Sequence, residues 1–177
     1  MRARQRIPRR VAEAGFTMVE LVVVMVVVGI LAAVAIPRFA DRTLEERGFR
    51  DAARAAIQHA RRVAVGSRRF VCVNLTAGAA PVGLLALRMD TTEPETVVAV
   101  GCTGAGGTAI ALPVADRNCA ATNEVCAPTG VTLGGSGVMF DALGRSVTAP
   151  NVLAPVVNIT ITNQAAITVL PETGYVQ

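Results

Sequence analysis

Apolar and polar positions follow different rhythms along the chain, and each rhythm predicts a different element. Residues 1–15 are arginine-rich and show no apolar period. Residues 16–36, FTMVELVVVMVVVGILAAVAI, carry one charge only, Glu20. A run of about 20 apolar residues matches the roughly 30 Å hydrocarbon thickness at about 1.5 Å rise per residue, which predicts a membrane-spanning helix. Within residues 37–69, Ala53, Ala56, Ile57, Ala60, Val63 and Ala64 recur at helical spacing and trace one apolar face. The helix is therefore expected to continue beyond Pro37, which lacks the N–H for an i−4 bond and should kink the join.

From Phe70 the helical period disappears. RFVCVNL, GLLALRM, TVVAVGC, GTAIALPV, GVMFDALG, VVNITITN and AAITVLP are short runs rich in Val, Ile, Leu and Thr, separated by Gly, Pro, Asn and Asp. They read as strands at the spacing of a small sandwich or meander. The Gly-rich pieces GCTGAGG and TLGGSG read as turns, because neither has the Lys-Ser/Thr ending of a phosphate loop. The expected class is α+β: one long N-terminal helix, transmembrane in its first half, packed on a β-rich domain of residues 70–177.

Charge gives the membrane segment an orientation. Residues 1–15 hold five Arg against Glu13, a net +4 that equals the formal charge of the whole chain. Basic residues before a membrane segment hold that end in the cytoplasm, so the high pI is a topology signal rather than evidence for nucleic-acid binding. A cleaved secretory signal fits poorly, since the apolar run exceeds the usual 7 to 15 residues and no small-x-small site follows it before Pro37 and Arg38. Between Arg38 and Arg69 there are nine Arg against four acids, and Arg47, Arg50, Arg54, Arg61 and Arg68 fall in a narrow sector beside the apolar face. Without interleaved aromatics for base stacking, that stripe reads first as a solvated face or a contact with acidic neighbours.

All four cysteines follow the apolar run. In an exported domain an even count suggests two disulfides, with three possible connectivities. Cys119 with Cys126 would clamp a short loop, and Cys72 with Cys102 would join two strand positions. No C-x-x-C occurs and His59 is the single histidine, so no metal site and no cofactor is expected. Catalytic motifs are absent as well. Asp90, Glu93 and Glu95 look like turn residues, and a scattered pair such as Asp116 and Glu124 is a poor basis for an enzyme.

Gly15, then Phe16-Thr17-Met18-Val19-Glu20-Leu21, then the apolar helix, resembles the type IV prepilin motif over residues 15 to about 39. The resemblance implies that a prepilin peptidase cuts between Gly15 and Phe16 and methylates the new amine of Phe16. It also implies single-pass insertion in a bacterial inner membrane, with the C-terminal domain periplasmic, and a pilin-like domain of two small antiparallel sheets. Pro37 stands where many pilins carry proline, and Met18 replaces a commoner leucine at similar volume. An unpaired ionised acid in a lipid-facing helix costs several kcal/mol, so Glu20 needs a partner. The resemblance supplies one, since Glu20 of an incoming subunit would neutralise the amine of a neighbouring Phe16. The other account of Glu20 is an acid near the interface whose carboxylate reaches the headgroups.

Phe140-Asp141-Ala142-Leu143-Gly144-Arg145 and the ending Thr173-Gly174-Tyr175-Val176 resemble the GspH/FimT group of minor pilins and pseudopilins. The implied role is a minor pseudopilin of a type II secretion system, extracted into a periplasmic pseudopilus with other pilins. A minor pilin of an MSHA-like type IV pilus is the near alternative, and a DNA-uptake pilin a further one. Some DNA-uptake members end in Gly-Arg-x-Arg; here Gly174, Tyr175, Val176 and Gln177 stand at those positions without either arginine. Phe70 to Gln177 carries three Arg against seven acids, which also argues against DNA.

Overall fold

The structure is a computed structural model and describes residues 17–39, 42–92, 102–103 and 106–177. Leader residues 1–15, together with Phe16, Glu93 and Glu95, lie outside the described residues, as does most of the strand expected at 96–102. The chain forms two compact units, one holding the first helix and the other running Arg42–Gln177.

The first helix, α1 (Met18–Phe39), is rich in valine, which loses side-chain freedom in a helix and makes this a weak helix former in water. In an apolar surrounding that weakness matters less, because a helix satisfies every backbone polar group within the segment. Every described side chain from Thr17 to Ala33 is exposed, including Leu21, Met25, Ile30 and Leu31. Side-chain description stops at Ala33, and among the described residues no helix is long and apolar enough to cross a membrane. The helix runs on through Pro37 to Phe39. Ala40 and Asp41, where it would join the next helix, lie outside the described residues.

In the second unit, α2 (Arg42–Ser67) buries Phe49, Ala53, Ala56, Ile57, Ala60 and Ala64, while Val63 is half-buried. Alanines dominate this face, so the helix backbone can lie close to the sheet beneath it. That sheet is antiparallel and has seven strands: β1 (Val71–Thr76), β3 (Leu84–Met89), β4 (Thr108–Ala109), β5 (Glu124–Cys126), β7 (Val138–Phe140), β8 (Ser146–Ala149) and β9 (Val152–Leu153). Its order is β4-β3-β1-β7-β8-β9, with β5 also paired to β3. The register sets Val71 opposite both Met89 and Phe140. A second antiparallel sheet has the order β11-β10-β6-β2, from β11 (Ile167–Val169), β10 (Val157–Ile161), β6 (Thr132–Gly135) and β2 (Gly78–Ala79).

Burial alternates along β10, with Val157, Ile159 and Ile161 inside and Asn158 and Thr160 outside, as period-2 pleating requires. These residues join Ile57, Val71, Val73, Leu85, Leu87 and Phe140 in one core shared by α2 and both sheets. A smaller cluster of Phe70, Cys72, Cys102, Met139 and Val147 forms separately. Cys72 pairs with Cys102 there at an S–S distance of 2.07 Å, and Cys119 pairs with Cys126 at 2.11 Å.

The two bridges close chain separations of 30 and 7 residues. Loop-closure entropy in the unfolded chain then gives about 3.6 kcal/mol for the longer and about 2.4 kcal/mol for the shorter. Replacing Cys72 and Cys102 together by Ala should therefore lower unfolding stability by about 1 kcal/mol more than replacing Cys119 and Cys126. Urea denaturation of the two double variants checks this, and the reverse order would contradict it.

Two sequence expectations change here. TLGGSG is not a turn throughout: Thr132–Gly135 is strand β6, held between β10 and β2. A Cβ at Gly135 would come within 2.4 Å of Asn158 O, a backbone atom, so the missing side chain there lets the end of β6 lie against β10. GTAIALPV keeps only Thr108–Ala109 as strand. Beyond it Ile110 N–H donates to Leu87 O and Leu112 N–H to Thr122 O, and then Pro113 has no N–H to extend the ladder.

Candidate assembly site

At the start of α1, Thr17 is the N-cap residue: its Oγ1 accepts the Glu20 N–H at 3.2 Å. Thr17-Met18-Val19-Glu20 thus has the spacing of a capping box, Ser/Thr followed three residues later by Glu. A carboxylate in the first turn also faces the positive end of the helix dipole. Glu20 is exposed at the head of the apolar helix, and the Gly15–Phe16 bond that precedes it lies outside the described residues. The cap fixes where α1 begins, three residues before Glu20, and so fixes the turn on which the carboxylate sits.

Three of the five arginines in the stripe make contacts that its charge did not suggest. Arg50 Nε donates to Ala165 O at 2.8 Å, Arg54 Nη2 to Val176 O at 3.3 Å and Arg61 Nε to Gly144 O at 3.2 Å. These three partners are backbone carbonyls of the β-domain, while Arg50 also lies 3.8 Å from Asp51 and Arg47 and Arg68 are exposed. Each of the three bonded guanidinium groups ties α2 to a different turn or chain end. Near the N-terminus of α2, buried Glu46 accepts Asn163 Nδ2 at 3.2 Å and Gln164 Nε2 at 3.4 Å, which holds the β10–β11 turn. Nothing in the sequence pattern marked Glu46, since it sits among charged neighbours and its partners lie more than a hundred residues away.

The two C-terminal fragments singled out in the sequence converge on Arg61. Asp141 Oδ1 accepts the N–H groups of Leu143 and Arg145 at 3.0 and 2.8 Å, while Oδ2 meets Arg145 Nε and Nη2, each at 2.7 Å. That turn presents Gly144 at φ 77°. Gly174, at φ 58°, lies against it so closely that a Cβ would stand 1.9 Å from Gly144 O and 3.1 Å from Arg61 Nε. The chain end is fixed as well, with Thr168 and Gln177 exchanging both backbone hydrogen bonds at 3.0 Å.

Of the acids considered for catalysis, Asp116 has structural partners. Asp116 accepts Asn118 N–H and Cys126 N–H, both at 2.9 Å, and so shapes the loop closed by Cys119–Cys126. Asp90 accepts the Thr92 N–H and hydroxyl, as a turn aspartate does. Among the described residues, the one grouping with metal-ligand spacing is Cys119, Glu124 and Cys126. Its cysteines are joined as a disulfide and offer no thiolate.

Comparison with known proteins finds similarity to one family and to a pilus component. Residues 10–36 match the family described as Prokaryotic N-terminal methylation motif. The chain is 45% identical over 51 residues to the Type IV narrow pilus major component PilA5 of Thermus thermophilus. That match covers 28% of this chain and 44% of the relative, so the chain spans less than half the length of the curated relative it matches. No solved structure matches. The chain is thus type IV pilin-like, with a prepilin-type N-terminus and the α+β build of an N-terminal helix followed by two antiparallel sheets.

Proposed function

We propose that this chain is a structural subunit of a pilin-type filament, specifically a minor pseudopilin of GspH type in a type II secretion system. The observation that carries the reading is the capped start of α1: Thr17 and Glu20 open an exposed apolar helix immediately after the Gly15–Phe16 junction. In this reading the arginine leader holds the N-terminus in the cytoplasm and residues 16–36 anchor the chain in the inner membrane. A prepilin peptidase cuts after Gly15 and methylates Phe16, and Pro37 relaxes the join to α2. Glu20 then pairs with the Phe16 amine of a neighbouring subunit as the helix moves from lipid into a filament of other pilin-type subunits.

Support for the GspH assignment comes from the convergence of the Asp141–Arg145 turn and the Gly174–Val176 ending on one arginine of α2. A type IV pilus subunit is the second reading, favoured by the pilus component to which the chain is similar. Against a DNA-uptake role, the C-terminal residues are built into the sheet edge and three stripe arginines are engaged by carbonyls.

Mass spectrometry of the protein extracted from membranes tests the shared part of both readings. The expected species lacks residues 1–15 and carries one added methyl group. An intact leader, or cleavage after Ala35, would remove the pilin reading. Whether the neighbouring genes encode secretion or pilus components then separates the two machines.

A further inference from the structure

Three large apolar side chains stand exposed around the point where the Asp141–Arg145 turn meets the end of α2. Gly144 lies beside Val65, whose Cγ2 would be 3.0 Å from a Cβ added there, and Leu143 precedes it in the turn. Gly174 lies against Gly144 O, and Tyr175 follows it. Val65, Leu143 and Tyr175 are 47%, 71% and 54% exposed. Next to them a hollow of about 240 Å³ is lined by Gln58, Arg61, Arg62, Gly174, Tyr175 and Val176.

Two guanidinium groups, a phenol and an amide line that hollow, and no acid does so among the described residues. The ion pairs among the described residues are Arg50–Asp51 and Arg145–Asp141, so neither Arg61 nor Arg62 has a carboxylate partner. Arg61 is held in place by its Nε bond to Gly144 O, and Arg62 is exposed. An exposed apolar patch rimmed by polar groups marks a contact surface, and Arg and Tyr are the residue types that most often carry binding energy there.

We infer that this patch docks an acidic polypeptide segment of a partner protein. One carboxylate of the segment enters the hollow between Arg61 and Arg62, where a guanidinium fork can bind it through two parallel hydrogen bonds. Apolar neighbours in the same segment cover Val65 and Leu143. The hollow is smaller than the roughly 300–1,000 Å³ that encloses a whole small ligand, so it suits one side chain of a larger partner. A nucleic-acid strand fits less well, because Phe70 to Gln177 carries three Arg against seven acids and would repel a row of phosphates. Val65 and Leu143 also offer a phosphate nothing. The inference does not rest on the filament reading, since it concerns the Arg42–Gln177 unit alone.

Fluorescence anisotropy tests it, with a labelled peptide of four glutamates and two leucines between terminal glycines titrated with the full chain in detergent micelles. Binding should saturate below about 1 mM, the weak end of specific association, and weaken as salt rises. Arg62→Ser removes one cation and should weaken it about five-fold, the upper range for an exposed ion pair. Leu143→Ser removes the most exposed of the three apolar side chains and should weaken it about ten-fold. Arg47→Ser alters an exposed arginine of α2 outside the hollow and should bind like the parent. Absence of binding up to about 1 mM overturns the proposal. So do Arg62→Ser and Leu143→Ser variants that bind like the parent, or an Arg47→Ser variant as weak as Arg62→Ser. Tighter binding of a single-stranded oligothymidine than of the peptide, lost in Arg62→Ser, would assign the patch to nucleic acid instead. Leader cleavage is scored separately, so none of these outcomes touches the pilin reading.

Discussion

Gly174→Ala should destabilise the Arg42–Gln177 unit by about 3 kcal/mol, the largest effect expected from adding one methyl group anywhere in the β-domain. Two costs add. Gly174 has φ 58°, where a side chain crowds its own carbonyl at about 1–2 kcal/mol. Its new Cβ would also stand 1.9 Å from Gly144 O, a backbone atom that cannot swing aside. The Asp141–Arg145 turn must then move, and with it the carbonyl that accepts Arg61 Nε. Against a typical domain stability of about 5–15 kcal/mol, the loss is large enough to read directly in a urea or thermal unfolding curve. Gly48→Ala is the control, because its Cβ enters open space within a helix and should be neutral or stabilising. Equal stability of Gly174→Ala and the parent would show that the Gly144–Gly174 contact does not hold α2 to the chain end.

Glu20→Ala should abolish incorporation into filaments while leaving leader cleavage and membrane insertion intact. The cap of α1 survives the change, since the bond to Thr17 Oγ1 comes from the Glu20 backbone N–H. Alanine is also the better helix former, so a loss of assembly would not follow from a damaged helix. Under the proposed pairing, the substitution removes the negative partner for the Phe16 amine in a packed apolar surrounding. An uncompensated charge there costs about 3–5 kcal/mol, or a factor of roughly a hundred to several thousand in each subunit's incorporation. Glu20→Gln keeps the shape without the charge and should fail similarly. Quantifying subunit incorporation in sheared filament fractions checks both, and unaltered assembly by either variant refutes the pairing role.

Elements set by local pattern are legible in the chain's own residue order. The apolar run of 16–36 reads as a helix because nothing interrupts it but Glu20, and the alanine face of α2 reads from its spacing alone; five of its six positions are buried. Strands β1, β3, β7, β10 and β11 fall within segments whose Val, Ile and Leu content marks them. Strands β2, β5, β6, β8 and β9 carry little such signal. They are two to four residues long; Gly78 of β2 takes φ 144°, and Gly135 of β6 lies where a Cβ would stand 2.4 Å from Asn158 O. A strand that exists because a partner is already in place has no pattern of its own to read.

The same division holds for the candidate sites. Gly15, Phe16, Thr17 and Glu20 form a local motif, whose meaning lies in a few neighbouring choices and the apolar run behind them. Sequence also established the chain's charge asymmetry and an even cysteine count after the apolar run. Tertiary structure decided what the arginine stripe does, because the carbonyls of Gly144, Ala165 and Val176 come from turns 83 to 122 residues away and no spacing rule links them. It decided too that Glu46 is a buried clamp and that the face of α2 carrying Glu45 and Arg62 stays open as a cleft. Local pattern specifies backbone conformation and which face seeks burial; which polar groups meet across that burial depends on how the sheets close over the helix.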